Sequence, residues 1–295
     1  MNLKKPRVIA EIGCNHKGEM EIAKELIHTA KIFAKVDVVK FQKRDIDTWT
    51  ELKPEQYRSP HPNPVNSYGE TYRKHRKFLE FNFDQHKELM DYCEEIDIEY
   101  STSVWDLPSA KGIAELNPKM IKIPSACNTN FKMLDWLCDN YEGEIHVSTG
   151  MTTKDEIEEI VELFIKKSRN KDLVLYNCVS GYPVPFEDVS LLEIKELKEK
   201  YEEKVKEIGF SGHHRGIAID VAAYTLGAST VERHYTLDRT WKGTDHAASL
   251  EPNGLRKLKR DLEAAYDSLT YKNEDILEIE KVQRKKLKYE RGLDE

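Results

Sequence analysis

Two lysines and two histidines of this chain stand late in apolar runs, where an unpaired charge is costly. Lys40 sits in V-V-K-F-Q (38–42), Lys122 in M-I-K-I-P-S (120–125), His213 in F-S-G-H-H (210–214) and His234 in E-R-H-Y-T (232–236). Burying a lone ammonium is expensive, so each lysine calls for an anion. A neighbouring Asp or Glu could be that anion, but two such lysines together favour a phosphate or carboxylate held by compact point charges. Ser125, Ser148 and Ser211 could add hydroxyl or N–H donors, although singly each reads as a turn residue. Imidazoles ending neighbouring strands can share one divalent ion. With Glu11, two histidines and a carboxylate make an open site for Mn²⁺ or a similar ion, leaving room for water and a substrate oxygen.

The elements that must position these groups are legible from periodicity. Strand-like runs cover residues 7–13, 36–42, 98–104, 120–125, 144–149, 173–179, 206–212 and 230–236, each bounded by polar or Gly-containing turns. Amphipathic stretches lie between them. Residues 20–34, 154–167, 190–201 and 216–226 read as helices, and Thr153 with Glu156 forms a capping box at the start of the second. Strand–helix alternation repeated eight times predicts an α/β fold, a (β/α)8 barrel, with an open doubly wound sheet as the alternative. The site then lies at the C-terminal ends of the strands, where Glu11, Lys40, Gln42, Ser101, Ser103, Lys122, Ser125, Ser148, Thr149, Ser180, Ser211, His213 and His234 fall. His214 and His246 stay undecided on the residues alone.

Two segments stand outside the alternation. Residues 43–82, rich in Pro, Tyr and His, predict a lid or subunit-contact loop. Residues 274–295 alternate acidic and basic residues at helical spacing and predict a solvated terminal helix. The expected organisation is one barrel domain over 1–270 and a helical tail over 271–295.

Composition excludes several classes. The 295 residues carry a formal net charge of −7, which opposes a broad nucleic-acid surface but not a small cationic pocket. No apolar run approaches the roughly 20 residues of a membrane span, and no signal-peptide core follows Met1, so a soluble cytoplasmic protein is expected. Five cysteines without a C-x-x-C pair suggest neither a disulfide framework nor a zinc ribbon. The turns at 15–18 and 150–152 match no nucleotide-binding glycine pattern.

Over residues 7–270 the motifs resemble the sialic acid (N-acetylneuraminate) synthase family. The carriers are A-E-I-G-C-N-H-K-G (10–18), V-K-F-Q-K (39–43), H-R-K-F-L-E-F (75–81), K-I-P-S (122–125), S-T-G-M (148–151) and C-V-S-G-Y-P-V-P-F-E-D (178–188). F-S-G-H-H (210–214), E-R-H-Y-T-L-D (232–238) and G-T-D-H-A-A-S-L-E-P (243–252) follow. The resemblance implies a homodimeric transferase that condenses phosphoenolpyruvate with N-acetylmannosamine or its 6-phosphate, using a divalent metal, usually Mn²⁺, with Mg²⁺ or Co²⁺ as substitutes. Carried onto matching positions, His213 and His234 would ligate the metal, with Glu11 close by, directly or through water. Lys40, Lys122, Ser125, Ser148, Ser180 and Ser211 would hold phosphoenolpyruvate, and Gln42, Tyr182 and Asp245 the sugar. Glu11, Lys40, Lys122, His213 and His234 would carry the catalysis. Cys127 stands where the family typically places a sugar-contacting Glu or Asp, and the C-terminal antifreeze-like domain of bacterial members is expected to be absent. The same mechanism on a diacetamido hexose or mannose 6-phosphate is an alternative. A metal-dependent isomerase, a Schiff-base aldolase and a non-catalytic barrel are weaker ones.

Overall fold

The computed structural model describes residues 4–289, and its eight parallel strands close in sequence order, β1 pairing with β8. They are β1 (Arg7–Gly13), β2 (Val38–Lys43), β3 (Glu99–Val104), β4 (Met120–Ile123), β5 (Glu144–Ser148), β6 (Leu173–Cys178), β7 (Glu207–Gly212) and β8 (Thr230–His234). Each lies within two residues of its expected span, and closure rules out the open sheet. β4 stops at Ile123 rather than Ser125 because Pro124 lacks a donor and Ser125–Cys127 turn as a 3₁₀ helix.

Alternation along the strands makes two cores. Val8, Ala10, Ile12, Val39 and Phe41 belong to the large outer core beneath the helices. Ile9, Val38, Met120, Val174 and Tyr176 plug the barrel interior. Two residues further along β1, β2 and β4, the same inward face presents Glu11, Lys40 and Lys122 above that plug. Register fixes their neighbours: Glu11 pairs across to Lys40 on one side and His234 on the other, Ser103 to Lys122, and Ser211 to Glu232.

Helix α1 (Met20–Thr29) follows β1 and runs into a π turn over Ala30–Ala34, so the stretch expected as one helix changes its hydrogen bonding in its last turn. The segment 43–82, expected as a lid or contact loop, is largely helical: α2 (Ile46–Leu52), α3 (Pro54–Arg58) and α4 (Tyr72–Leu79). Asp45 and Thr71 cap α2 and α4 by accepting from the backbone N–H of Thr48 and Lys74. Aromatic packing holds the insertion on the barrel, with Trp49 edge-on to Trp105 at 6.0 Å and Tyr57 edge-on to Tyr72 at 5.1 Å.

The remaining barrel helices are α5 (Phe83–Glu95), α6 (Leu107–Leu116), α7 (Phe131–Asn140), α8 (Lys154–Lys166), α9 (Glu193–Tyr201), α10 (Ala218–Thr225) and α11 (Pro252–Ser268). The capping box of Thr153 and Glu156 opens α8 as expected. Helix α12 (Glu278–Leu287) forms the exposed terminal helix; residues 290–295 of the expected tail lie outside the described residues. No helix among the described residues is long and apolar enough to cross a membrane.

Candidate active site

A cavity of about 340 Å³ opens at the C-terminal ends of the strands. It gathers Glu11, Lys40, Gln42, Lys122, Ser125, Ser148, Ser180, Tyr182, Ser211, His213, His234 and Asp245. Of the residues predicted from sequence, Ser101 and Thr149 are left out, their hydroxyls donating to the Met120 and Tyr176 carbonyls at 3.1 Å and 2.9 Å, and so is Cys127. Its buried thiol donates to the Trp105 carbonyl at 3.1 Å, and burial pushes its pKa up to about 12. A protonated thiol turned into the protein wall contacts no sugar, which corrects that expectation.

The floor of the cavity is an ionic cluster centred on Glu232. Lys122 Nζ lies 3.0 Å from Glu232 Oε2, and Lys40 Nζ lies 3.6 Å from Oε1. Lys40 also pairs with Glu11 and donates to Ser103 Oγ at 2.8 Å, while Ser211 donates to Glu232 at 3.3 Å. Burial works against the charge on Glu232, but the two lysines more than offset it and hold the carboxyl far below its usual range. Burial dominates at Lys122 and lowers its pKa despite Glu232. At Lys40 burial is outweighed by Glu11 and Glu232, and its pKa rises. Glu11 is pushed up by burial, against the attraction of Lys40 and with repulsion from Glu232 adding to the rise.

Two glycines admit this crowding. A side chain at Gly13 (φ +56°) would meet Gln42 Nε2 at 2.9 Å, and Gln42 is the residue that donates to Glu11 at 2.7 Å. A Cβ on Gly150 would come within 2.5 Å of Ser180 Oγ and 2.7 Å of Ser125 Oγ, so only glycine lets both hydroxyls converge.

His213 and His234 stand in the wall with ring centroids 5.4 Å apart. His213 Nδ1 donates to the Val179 carbonyl at 2.9 Å, an outer bond that orients the ring and leaves Nε2 free. His234 Nδ1 is buried without a hydrogen-bond partner, and Asp245 is 4.0 Å away. Burial lowers the His234 pKa to about 4, leaving one ring nitrogen unprotonated at neutral pH, whereas at His213 burial is outweighed by the neighbouring Cys178 and the pKa rises. Two imidazoles this close fit a divalent ion with open positions. Glu11, expected beside the ion directly or through water, is engaged by Lys40 and Gln42, and no three His, Cys, Asp or Glu among the described residues make a metal set.

The undecided histidines resolve as structural. His214 is buried against Arg233 and Asp220, with Arg233 Nη1 3.0 Å from its Nε2. His246 Nδ1 bonds to Thr236 Oγ1 at 2.7 Å. The 15–18 turn is structural too, since Asn15 donates to the Tyr235 carbonyl and to Ser249, and His16 stacks on Phe81 at 4.0 Å.

Residues 26–274 match the NeuB family. The chain belongs to that family. Among NeuB relatives, N-acetylneuraminate-9-phosphate synthase of Mus musculus is 38% identical over 282 residues, 95% of this chain and 76% of that protein. N,N'-diacetyllegionaminic acid synthase of Campylobacter jejuni is 35% identical over 257 residues, 87% of this chain and 75% of that protein. A crystal structure of N-acetylneuraminic acid (sialic acid) synthetase from Leptospira borgpetersenii, in complex with citrate, superposes with a TM-score of 0.81 at 28% identity. The match covers 97% of this chain and 94% of that one.

Sequence reasoning missed Glu232, Arg44, Tyr72 and Arg76, which also line the cavity. The first two were signalled by the strand period. Glu232 precedes His234 by two residues, and Arg44 continues the series Lys40, Gln42. Tyr72 and Arg76 come from α4, which no strand-end argument reaches.

Proposed function

We propose that this chain condenses phosphoenolpyruvate with an N-acetylmannosamine-type aldehyde, giving a nine-carbon 3-deoxy-2-keto acid and phosphate. The observation that carries the reading is the floor cluster, where Lys40 and Lys122 flank one carboxylate beside two imidazoles. Membership of the NeuB family and the names of its relatives support it.

In this reading Lys40 and Lys122 bind the carboxylate and phosphate of phosphoenolpyruvate, with Ser125, Ser148, Ser180 and Ser211 donating to the same groups. Gln42, Tyr182 and Asp245 orient the acceptor so that its aldehyde carbon faces C3. A C–C bond forms from the enol double bond, and the aldehyde oxygen gains the carbonyl electron pair, its negative charge later neutralised by a proton of the water that adds at C2. Water adds to the cation left at C2 and gives its proton to Glu11, whose raised pKa suits it to that task. The C2–O bond to phosphate then breaks, the departing phosphate takes the electron pair and the proton of the C2 hydroxyl, and a ketone remains. Both lysines stabilise the charge developing on the departing phosphate in a preorganised site. A divalent ion on His213 and His234, Mn²⁺ or else Mg²⁺ or Co²⁺, would supply Lewis-acid polarisation of the acceptor oxygen.

The test is phosphate release from phosphoenolpyruvate with Mn²⁺ across a panel of acceptor sugars. Acceptor-dependent release that His234→Ala abolishes supports the reading; none with any acceptor overturns it. A diacetamido hexose belongs in the panel because the Campylobacter relative carries a legionaminic acid name. The same reading includes a homodimeric, cytoplasmic enzyme, as the family resemblance implies, and sedimentation velocity tests the dimer.

A further inference from the structure

Behind the two histidines of the cavity wall lies a second charged group, and it faces away from the cavity. Strand alternation turns Glu232 and His234 inward, so Arg233 between them points out towards α10. His214 follows His213 in the same way and stacks on Phe210 of the outer core, ring centroids 5.8 Å apart. Arg233, His214 and Asp220, the last from the first turn of α10, are each at most 1% exposed. Arg233 Nη1 donates to Asp220 Oδ2 at 2.5 Å and lies 3.0 Å from His214 Nε2. Its other contacts are with main chain: Nη1 donates to the Gly216 carbonyl and Nη2 to the His214 carbonyl, both at 2.7 Å.

Those carbonyls belong to residues 213–217, which leave β7 as neither helix nor strand and carry His213 at their start. One side chain of β8 therefore ties down the segment that presents the other histidine. Gly212, opposite Arg233 in the strand register, makes the room: a Cβ there would come within 2.8 Å of both His214 Cε1 and Phe210 Cε1. Stability alone gives no reason for this group, because apolar residues of similar size often match or exceed a buried ion pair. Two of its atoms, His214 Nδ1 and Asp220 Oδ1, are even buried without a hydrogen-bond partner, which adds to its cost. What a planar guanidinium supplies, and packed methyl groups do not, is donors in fixed directions. Here they run from β8 to the chain that follows β7, and the inner faces of the same two stretches hold His213 and His234 with ring centroids 5.4 Å apart.

We propose that Arg233, braced by Asp220 and His214, is a positioning residue for the divalent-ion site: it locks the chain after β7 to β8 from behind and so sets the spacing at which His213 and His234 share one ion. This role rests on the ion site of the synthase reading above.

The readout is Mn²⁺ binding, followed by the EPR signal of the free ion, with His234→Ala as the reference for a lost ligand. Removing Arg233 alone strands a buried Asp220, so the main variant is Arg233→Met with Asp220→Leu, which takes out both charges together and keeps the layer packed. It is expected to fold with a Tm near that of the wild type and to bind Mn²⁺ about tenfold more weakly. Calorimetric binding of phosphoenolpyruvate without metal is expected to change less than about twofold, since Lys40 and Lys122 stand on β2 and β4. Arg233→Lys keeps the charge but not the fork, and a similar loss of Mn²⁺ affinity is expected; it decides the matter should the double variant fail to fold. Wild-type Mn²⁺ affinity in the folded variant overturns the proposal, and so do equal losses of Mn²⁺ and phosphoenolpyruvate, which would mark a general disturbance of the mouth. Mn²⁺ binding that His234→Ala leaves unchanged overturns the ion site and this role with it, while acceptor-dependent phosphate release still judges the condensation separately.

Discussion

The Lys122 ammonium rests 3.4 Å from the centroid of the Tyr176 ring, inside the barrel and away from solvent. Beneath it the Tyr176 hydroxyl bonds to His146 Nδ1 at 2.6 Å, His146 Nε2 reaches Glu144 at 2.9 Å, and Glu144 reaches Arg7 at 2.9 Å. A polar column therefore runs from the bottom of the barrel to a lysine on the cavity floor. The ring face stabilises the ammonium while Glu232 fixes its height.

Separating ring from hydroxyl tests that column. Tyr176→Leu removes the π face and is expected to weaken phosphoenolpyruvate binding about 30-fold, corresponding to ~2 kcal/mol for a desolvated cation–π contact. Tyr176→Phe keeps the face but strands His146 Nδ1, so it lowers unfolding stability by about 1–3 kcal/mol while the KM for phosphoenolpyruvate changes much less. Steady-state kinetics beside denaturant unfolding distinguish the two. Equal kinetic losses in both variants would show that the ring face does not position Lys122.

Glu232 keeps two buried lysines compatible on the cavity floor, and Glu232→Gln leaves them facing each other. Unfolding stability is expected to fall by about 3–5 kcal/mol, the range for breaking a buried ion network. An anion on the floor then replaces the lost charge, so inorganic phosphate should raise the Tm of the variant more than that of the wild type. Identical phosphate shifts in the two proteins would place the anion elsewhere.

The barrel itself was legible because its strands carry the two-residue period and its helices the 3.6-residue one. His234 is legible as the last residue of an apolar run, whereas Glu232, on the same inward face, opens a charged triplet, E-R-H, that hides it from an apolar-run argument. The insertion was harder to read. Helices α2 to α4 are five to eight residues long, too short to show an amphipathic stripe, and they depend on Trp49, Tyr57 and Tyr72 stacking against one another and on Trp105. Their caps, Asp45 and Thr71, were the available signs. The outward turn of Cys127 depends on a carbonyl 22 residues away in sequence, which no local pattern encodes.

Acid should loosen this protein well before its carboxylates titrate. Burial lowers the pKa of His16 and His86 to about 3 and of His146 and His234 to about 4, against 6.5 for an ordinary histidine. Below pH 6.5 the unfolded chain therefore takes up protons that the folded one refuses, and stability is lost as pH falls towards 4. Each histidine contributes about 1.4 kcal/mol per pH unit across that window. The Tm measured at intervals from pH 7 to pH 4.5 is expected to drop steeply below 6.5, and His86→Leu to flatten the slope. A flat profile down to pH 4.5 would mean these rings are not buried in the neutral form.

Cys127 separates what the family resemblance suggests from what the geometry allows. Were this position a sugar contact weakened by its thiol, Cys127→Asp would restore an acceptor for a hydroxyl and lower the KM of the sugar. Here the side chain faces the Trp105 carbonyl, and Trp105 in turn carries Arg44 on its ring. A carboxylate at 127 would then sit buried against a carbonyl oxygen without a donor, lowering stability by several kcal/mol, on the order of 2–7 for an unpaired polar group, with no gain in affinity. Cys127→Ser preserves the donated bond and is expected to change kcat/KM by no more than about twofold. With its pKa near 12 the thiol should also resist alkylation at pH 8 until the chain unfolds. A lower sugar KM in Cys127→Asp would return this residue to the active site.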